Sequence, residues 1–356
     1  MNFIDGHVHF RDFEEEDKET IKNGLEVARD SGLVAVLDMP NNKPAVMSRV
    51  EIENKIRKAK DADVKEVLYR CFMGITSDLE QIKEAVYVCN KYEQVPGIKV
   101  YLGHSTGRLG ITLEEEQRFL MKTLTNLDYR GLLVAHCEKE DHIHDHIWTP
   151  DNPISHCHAR PEESEIASVE DLLSMVIEFN FKGRVHVAHI SSPTAVDLVY
   201  NAKMAGMDIT CGSCPHPWIY DWNRMNEPDG LYFKMNPPLR SPESQQGMFE
   251  YLRTEKIDMI ETDHAPHKEN EKNREGGIFM SGIPGLASWP IIVEYLRFNN
   301  FSEKLIEKLV FLNPAKLYNL DVNTRKVNYK DRRGDYPYDP YEPMAKQIGW
   351  DKRKYI

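Results

Sequence analysis

His7-Val8-His9 closes the first apolar run of the chain, and His136, His189 and Asp263 close three later ones. Side chains in an extended strand repeat every two residues, so the His7 and His9 imidazoles face one side and can reach one ion. Lys99 lies in Gly97-Ile98-Lys99-Val100-Tyr101-Leu102, which reads as a buried parallel strand with a lysine near its carboxyl end. A lone buried ammonium is costly and needs a partner or a chemical change. Taken singly, a histidine on an apolar strand is more often a core residue than a ligand. Taken together, four histidines, a carboxylate and a modified lysine are donors for two metals, and water between such ions is acidified to a pKa near ~7.

Those donors need a scaffold that brings distant strand ends together. Apolar, β-branched runs occupy Asn2–His7, Leu33–Asp38, Val64–Met73, Gly97–Leu102, Gly131–His136, Arg184–His189, Met207–Cys211 and Ile257–Thr262. Amphipathic, charge-rich stretches of helical length lie between them at Asp17–Asp30, Ser48–Lys60, Asp78–Tyr92, Thr112–Asn126, Glu162–Asn180, Pro193–Ala205 and Ser241–Thr254. This alternation predicts an α/β fold with a parallel sheet, and eight strand candidates predict a closed (β/α)8 TIM barrel. A doubly wound open sheet is the alternative, but the candidate ligands follow the first, fourth, fifth, sixth and eighth runs. Only a barrel rings all those carboxyl ends around one mouth.

Composition narrows the function class. The 356 residues can bury a large core, and 41% apolar with 29% charged residues is the balance of a globular protein. No apolar stretch nears the ~20 residues of a membrane helix, and the start is not that of a signal peptide. Six cysteines in a chain this long are expected to be reduced, which predicts a cytoplasmic protein. A net charge of -12 disfavours nucleic acid and anionic membrane as partners, while leaving room for a locally basic pocket that takes an anionic small molecule.

The motifs, in their order, resemble those of the amidohydrolase superfamily and, within it, the dihydroorotases. His7-Val8-His9-Phe10-Arg11-Asp12 is similar to the metal-binding opening, and Asp38-Met39-Pro40-Asn41-Asn42-Lys43-Pro44 to the second-strand motif. The Lys99 strand resembles the one that bears a carboxylated lysine. Val134-Ala135-His136-Cys137-Glu138 and Val187-Ala188-His189-Ile190-Ser191-Ser192 resemble the strands of the third and fourth histidines. Lys234-Met235-Asn236-Pro237-Pro238-Leu239-Arg240, Arg160-Pro161 with Glu165, and Thr262-Asp263-His264-Ala265-Pro266-His267 complete the likeness, which runs from residue 3 to about residue 318.

The resemblance implies that His7, His9, Lys99 and Asp263 hold one Zn²⁺ and that Lys99, His136 and His189 hold the other, with cobalt or manganese as substitutes. It implies a catalytic Asp263 that carries a proton between an attacking hydroxide and the ring nitrogen of L-dihydroorotate. The product is N-carbamoyl-L-aspartate, and the reversible reaction belongs to pyrimidine synthesis. Arg11, Asn41 and His267, with Asn236 beside them, would bind the substrate. Ser105 or Thr106 would close over it as a hydroxyl-bearing lid. The implied partners are a second copy of the chain in a homodimer and, optionally, a transcarbamoylase.

Two other readings stay open. A hydantoinase or allantoinase shares the metals but does not need Arg11, Asn41 and His267 together. A catalytically silent scaffold homologue would be expected to lose ligands, whereas all six are present here.

Several residues compete for attention. His186 rivals His189, which lies nearer the carboxyl end of its run, and His264 is expected to point away from the site. Cys211-Gly212-Ser213-Cys214 is a CxxC without a second pair. His142 and His146 would share one face if that stretch were helical, although a solvated surface is the simpler reading. Gly276–Gly285, with four glycines, is a candidate for the pocket rim. The family's accessory β-sandwich is expected to be absent. That leaves a barrel over residues 1–320 and an irregular arm over 321–356, packed on the barrel or a neighbouring subunit.

Overall fold

The computed structural model describes residues 1–104 and 109–351. Its strands are β1 (Phe3–Val8), β2 (Leu33–Asp38), β3 (Leu68–Cys71), β4 (Met73–Gly74), β5 (Gly97–Leu102), β6 (Leu132–Cys137), β7 (Arg184–Val187), β8 (Ile209–Ser213) and β9 (Met259–Ile260). Each neighbouring pair is parallel, in the orders β1-β2-β3 and β4 through β9. The stretch expected as one strand over Val64–Met73 is shorter and is broken at Phe72. That residue's ring is fully buried, and its N–H donates to Asp38 O at 2.9 Å as the last bond of the β2–β3 ladder, before β4 pairs with β5. With β3 and β4 as one interrupted passage, eight staves form a ring. It closes where His9 N–H donates to His264 O at 2.7 Å, beside a parallel bridge from Val8 to His264.

Helices wrap the ring for local reasons. The helix Ile21–Asp30 begins later than expected because the Thr20 side chain accepts the Asn23 N–H and caps it. It then buries Ile21, Leu25 and Ala28 on one stripe. Gly24 on that stripe is required by contact, since a Cβ there would lie 2.4 Å from the Phe10 ring. Ser192 and Ser241 cap the helices Pro193–Met204 and Pro242–Arg253, each with proline in the first turn. The helix Trp289–Phe298 was not foreseen from the sequence. It completes the outer layer, and Trp289 Nε1 donates to the buried Asp5 at the barrel's seam at 2.9 Å.

Residues 321–351 carry little regular structure and lie along the barrel. Tyr336 donates its hydroxyl to Glu19 at 2.7 Å, Tyr338 donates to Gly282 O at 3.1 Å, and Tyr341 is fully buried. The Asp141–His146 stretch forms two separate 3-10 turns, Glu140–His142 and Asp145–Ile147, so it offers no single helical face for His142 and His146.

Candidate metal centre and substrate cavity

At the carboxyl ends of the strands lies a cavity of about 230 Å³. Its walls bring together His7, His9, Arg11, Asn41, His136, His189, Asn236, Asp263 and His267, which are separated by up to 260 residues in the chain. Lys99 sits fully buried and does not line the cavity. Its Nζ has no hydrogen-bond partner and rests 4.9 Å from the Tyr101 ring centre. Ser105 and Thr106 fall outside the described residues.

Asp263 is the hub of one half of the site. Its Oδ1 is 2.7 Å from His9 Nε2 and 3.4 Å from His7 Nε2. Burial alone would raise its pKa, but the His9 hydrogen bond and the neighbouring imidazoles outweigh that and hold the carboxyl far below its usual range. His9 turns its Nδ1 to Asn41 Oδ1 at 2.5 Å. In the other half, His136 Nδ1 is 3.2 Å from His189 Nε2, and His136 Nε2 is 3.2 Å from Glu138 Oε2. Glu138 is pinned in turn by Arg160, with contacts of 3.1 and 2.8 Å.

The donor set fits metal. Ligating atoms of His7, His9 and Asp263 all lie within 4.8 Å of one another. Both ring nitrogens of His7, Nδ1 of His189 and Nζ of Lys99 are buried without hydrogen-bond partners, a state that native interiors rarely tolerate. Burial and the nearby Lys99 push the His7 and His189 pKa values well below normal, so both rings are neutral and able to ligate. Burial brings the Lys99 amine down to about 8, which enlarges its uncharged, nucleophilic fraction at neutral pH. Imidazole and oxygen donors suit zinc.

The opposite wall is built for an anion. Arg11 is anchored by its Nε to Pro266 O at 3.1 Å, and its Nη2 lies 3.0 Å from His267 Nε2. His267 faces Glu271 through Nδ1 at 3.4 Å, and burial with the Arg11 charge lowers its pKa to about 3, so it is a neutral ring beside a cation. Asn236 Oδ1 lies 3.0 Å from His156 Nε2. Ser281 and Gly282, from the glycine-rich stretch, complete this wall. Lys272 secures that stretch by donating to the carbonyls of Lys234, Met280 and Gly282 at 2.7, 3.0 and 2.8 Å.

The competing residues fall elsewhere. His186 is fully buried below the cavity with Nδ1 2.8 Å from Thr210 Oγ1. His264 points outward to Glu19 at 3.0 Å and accepts the Gly285 and Leu286 N–H groups. Cys211 and Cys214 are free and buried, and burial pushes both thiols well above their normal pKa, away from thiolate chemistry. Sequence reasoning passed over Glu261, a fully buried carboxylate under the histidines, although its place two residues before Asp263 on an extended segment was a usable signal.

No family model matches the chain. A dihydroorotase of Listeria innocua is 32% identical over 334 residues, covering 89% of this chain and 72% of that protein. A dihydroorotase of Bacillus subtilis is 30% identical over 329 residues, covering 90% and 73%. Among solved structures, the L-hydantoinase of Arthrobacter aurescens superimposes with a TM-score of 0.79 at 21% identity, covering 92% of this chain and 73% of that one. A dihydroorotase of Campylobacter jejuni superimposes with a TM-score of 0.66 at 17% identity, covering 90% and 84%. These structural likenesses establish the shared α/β barrel.

Proposed function

The chain belongs to the dihydroorotase family, and from that premise we propose that its cavity interconverts L-dihydroorotate and N-carbamoyl-L-aspartate, a reversible step of pyrimidine synthesis. The observation that carries this reading is the meeting, in one cavity, of the His7, His9 and Asp263 cluster with Arg11, Asn41 and His267. The first set suits hydrolysis of a cyclic amide. The second suits a substrate that carries its own carboxylate.

In this reading His7, His9, Lys99 and Asp263 hold one zinc, and Lys99, His136 and His189 the other, with Lys99 as its carbamate. When bound, the ions supply hydroxide at neutral pH and polarise the amide carbonyl. Asp263, strongly ionised beside His9, receives the proton released by the attacking water and passes it to the ring nitrogen as the C–N bond breaks. In the synthetic direction it starts protonated and donates as the ring closes. Arg11 offers the substrate carboxylate a charge-assisted hydrogen bond, and the neutral His267 and Asn41 fix its plane. That pocket is how a chain of net charge -12 takes an anion.

The wider reading is a barrel over residues 1–320 with an irregular arm over 321–356, working as a homodimer in the cytoplasm. Loss of ultraviolet absorbance from L-dihydroorotate tests the function, using zinc-loaded enzyme with bicarbonate and with hydantoin and allantoin in parallel. Turnover of dihydroorotate alone is expected. Turnover of hydantoin or allantoin instead would transfer the chain to those activities, and zinc binding without turnover of any ring would make it a scaffold.

A further inference from the structure

Below the candidate ligands lies a carboxylate that the reaction does not use. Glu261 follows β9, has no exposed surface, and accepts the His189 backbone N–H on Oε1 at 2.5 Å. His189 has a φ of +40°, a left-handed conformation that a residue with a Cβ adopts only when its surroundings impose it. The next residue is tied as well, since Ile190 N–H donates to Gly212 O at 2.8 Å. Gly212 in β8 also makes room for the carboxylate, because a Cβ there would stand 2.7 Å from the Glu261 Cδ and Oε1. The second oxygen, Oε2, is buried without a hydrogen-bond partner and lies 3.5 Å from His186 Nε2 and 4.0 Å from His7 Nδ1.

A carboxylate in so dry a place is costly, and an apolar side chain would fill the space at lower cost. What a carboxylate adds is direction. A ligating imidazole commonly turns its second N–H toward a carboxylate or carbonyl, and such partners set the ring's orientation and tautomer.

We infer that Glu261 is a positioning residue for the metal centre: it holds the His189 main chain in the turn that aims this ring into the cavity, and presents its second oxygen to His7 Nδ1. The inference rests on the reading of His7 and His189 as metal ligands. Glu261 acts through them and touches no substrate.

The test measures zinc retained per chain during dialysis against a chelator, together with kcat and KM for L-dihydroorotate, in the full-length protein. The variants are Glu261→Ala, Glu261→Gln, Gly212→Ala and the Glu261→Ala/Gly212→Ala double, each checked for native circular dichroism. Glu261→Ala is expected to lose about 10–100-fold in zinc affinity and in kcat, with KM within about threefold of wild type. Glu261→Gln keeps an oxygen for the His189 N–H and should recover most of the zinc retention. Gly212→Ala, which drives a methyl into the carboxylate, should weaken zinc in the wild-type background and add little to Glu261→Ala.

Wild-type zinc retention in Glu261→Ala would overturn the inference. So would a glutamine variant no better than alanine, or an equal Gly212→Ala effect in both backgrounds. If Glu261→Ala does not fold, normal zinc retention in Gly212→Ala overturns it just as well. A wild-type protein that neither retains zinc nor opens the ring would instead bring down the metal reading, and this inference with it.

Discussion

Asp263 shows at the scale of one residue how the site divides its labour. Its carboxyl is held ionised by His9, so the group that would carry the proton is a base in the resting state. Asp263→Asn keeps an oxygen for a metal but cannot carry a proton. It should lower kcat by about 10²–10⁴-fold while zinc content stays near wild type, as read from steady-state rates and metal analysis of the same preparation. Arg11 should divide the other way. Removing its charge with Arg11→Gln costs a charged hydrogen bond of about 1.5–3 kcal/mol, which predicts a KM for L-dihydroorotate raised about 10–100-fold with kcat largely kept. Both residues were legible in the sequence because each sits in a dense motif of chemically distinctive neighbours. Glu261 carried only a positional signal, two residues before Asp263, because the partner that gives it meaning is a backbone N–H 72 residues away.

At the scale of elements, the strands place the ligands and the loops finish the pocket. The runs that became β1, β2, β5 and β6 were readable almost to the residue, because buried parallel strands are continuous apolar stretches bounded by turns. The break at Phe72 was not readable, since Phe72 is as apolar as its neighbours and only the change of pairing partner there, from β2 to β5, divides the run. The glycine-rich rim depends on Lys272, whose buried ammonium gathers three backbone carbonyls. Lys272→Met preserves the stem and strands those carbonyls. It is expected to cost about 1–3 kcal/mol in denaturant unfolding. It should also raise KM several-fold with little change in kcat, as the Ser281 and Gly282 wall loosens.

For the whole molecule, a charged seam joins the segment after β1 to the segment after β9, and pH should reveal it. Burial would raise the Glu271 pKa, but its bonds to His267, Lys18 and the Lys268 N–H prevail and bring it down to about 2. An acid whose pKa is lowered on folding stabilises the fold above its ordinary value of 4.5, and that contribution is lost as the pH falls toward about 2. Glu271→Gln should therefore lower Tm by about 1–3 °C at pH 7, the gap to wild type shrinking as the pH drops below 4.5. Deleting residues 328–356 removes Tyr336, Tyr338 and the buried Tyr341. A Tm lower by about 5 °C or more and reduced solubility are expected in a thermal melt.

The sequence by itself determined the alternation of strand and helix, the side of each strand that carries a donor, and hence the barrel and the set of candidate ligands. These follow from periodicity and residue chemistry, which are local. Only the tertiary structure decided that Lys99 lies beneath the cavity while His189 lines it, that Arg11 leans on His267, and that Glu261 supports His189 across two strands. Those are contacts between residues far apart in the chain, set by how the ring closes and what its interior excludes, and no local pattern encodes them.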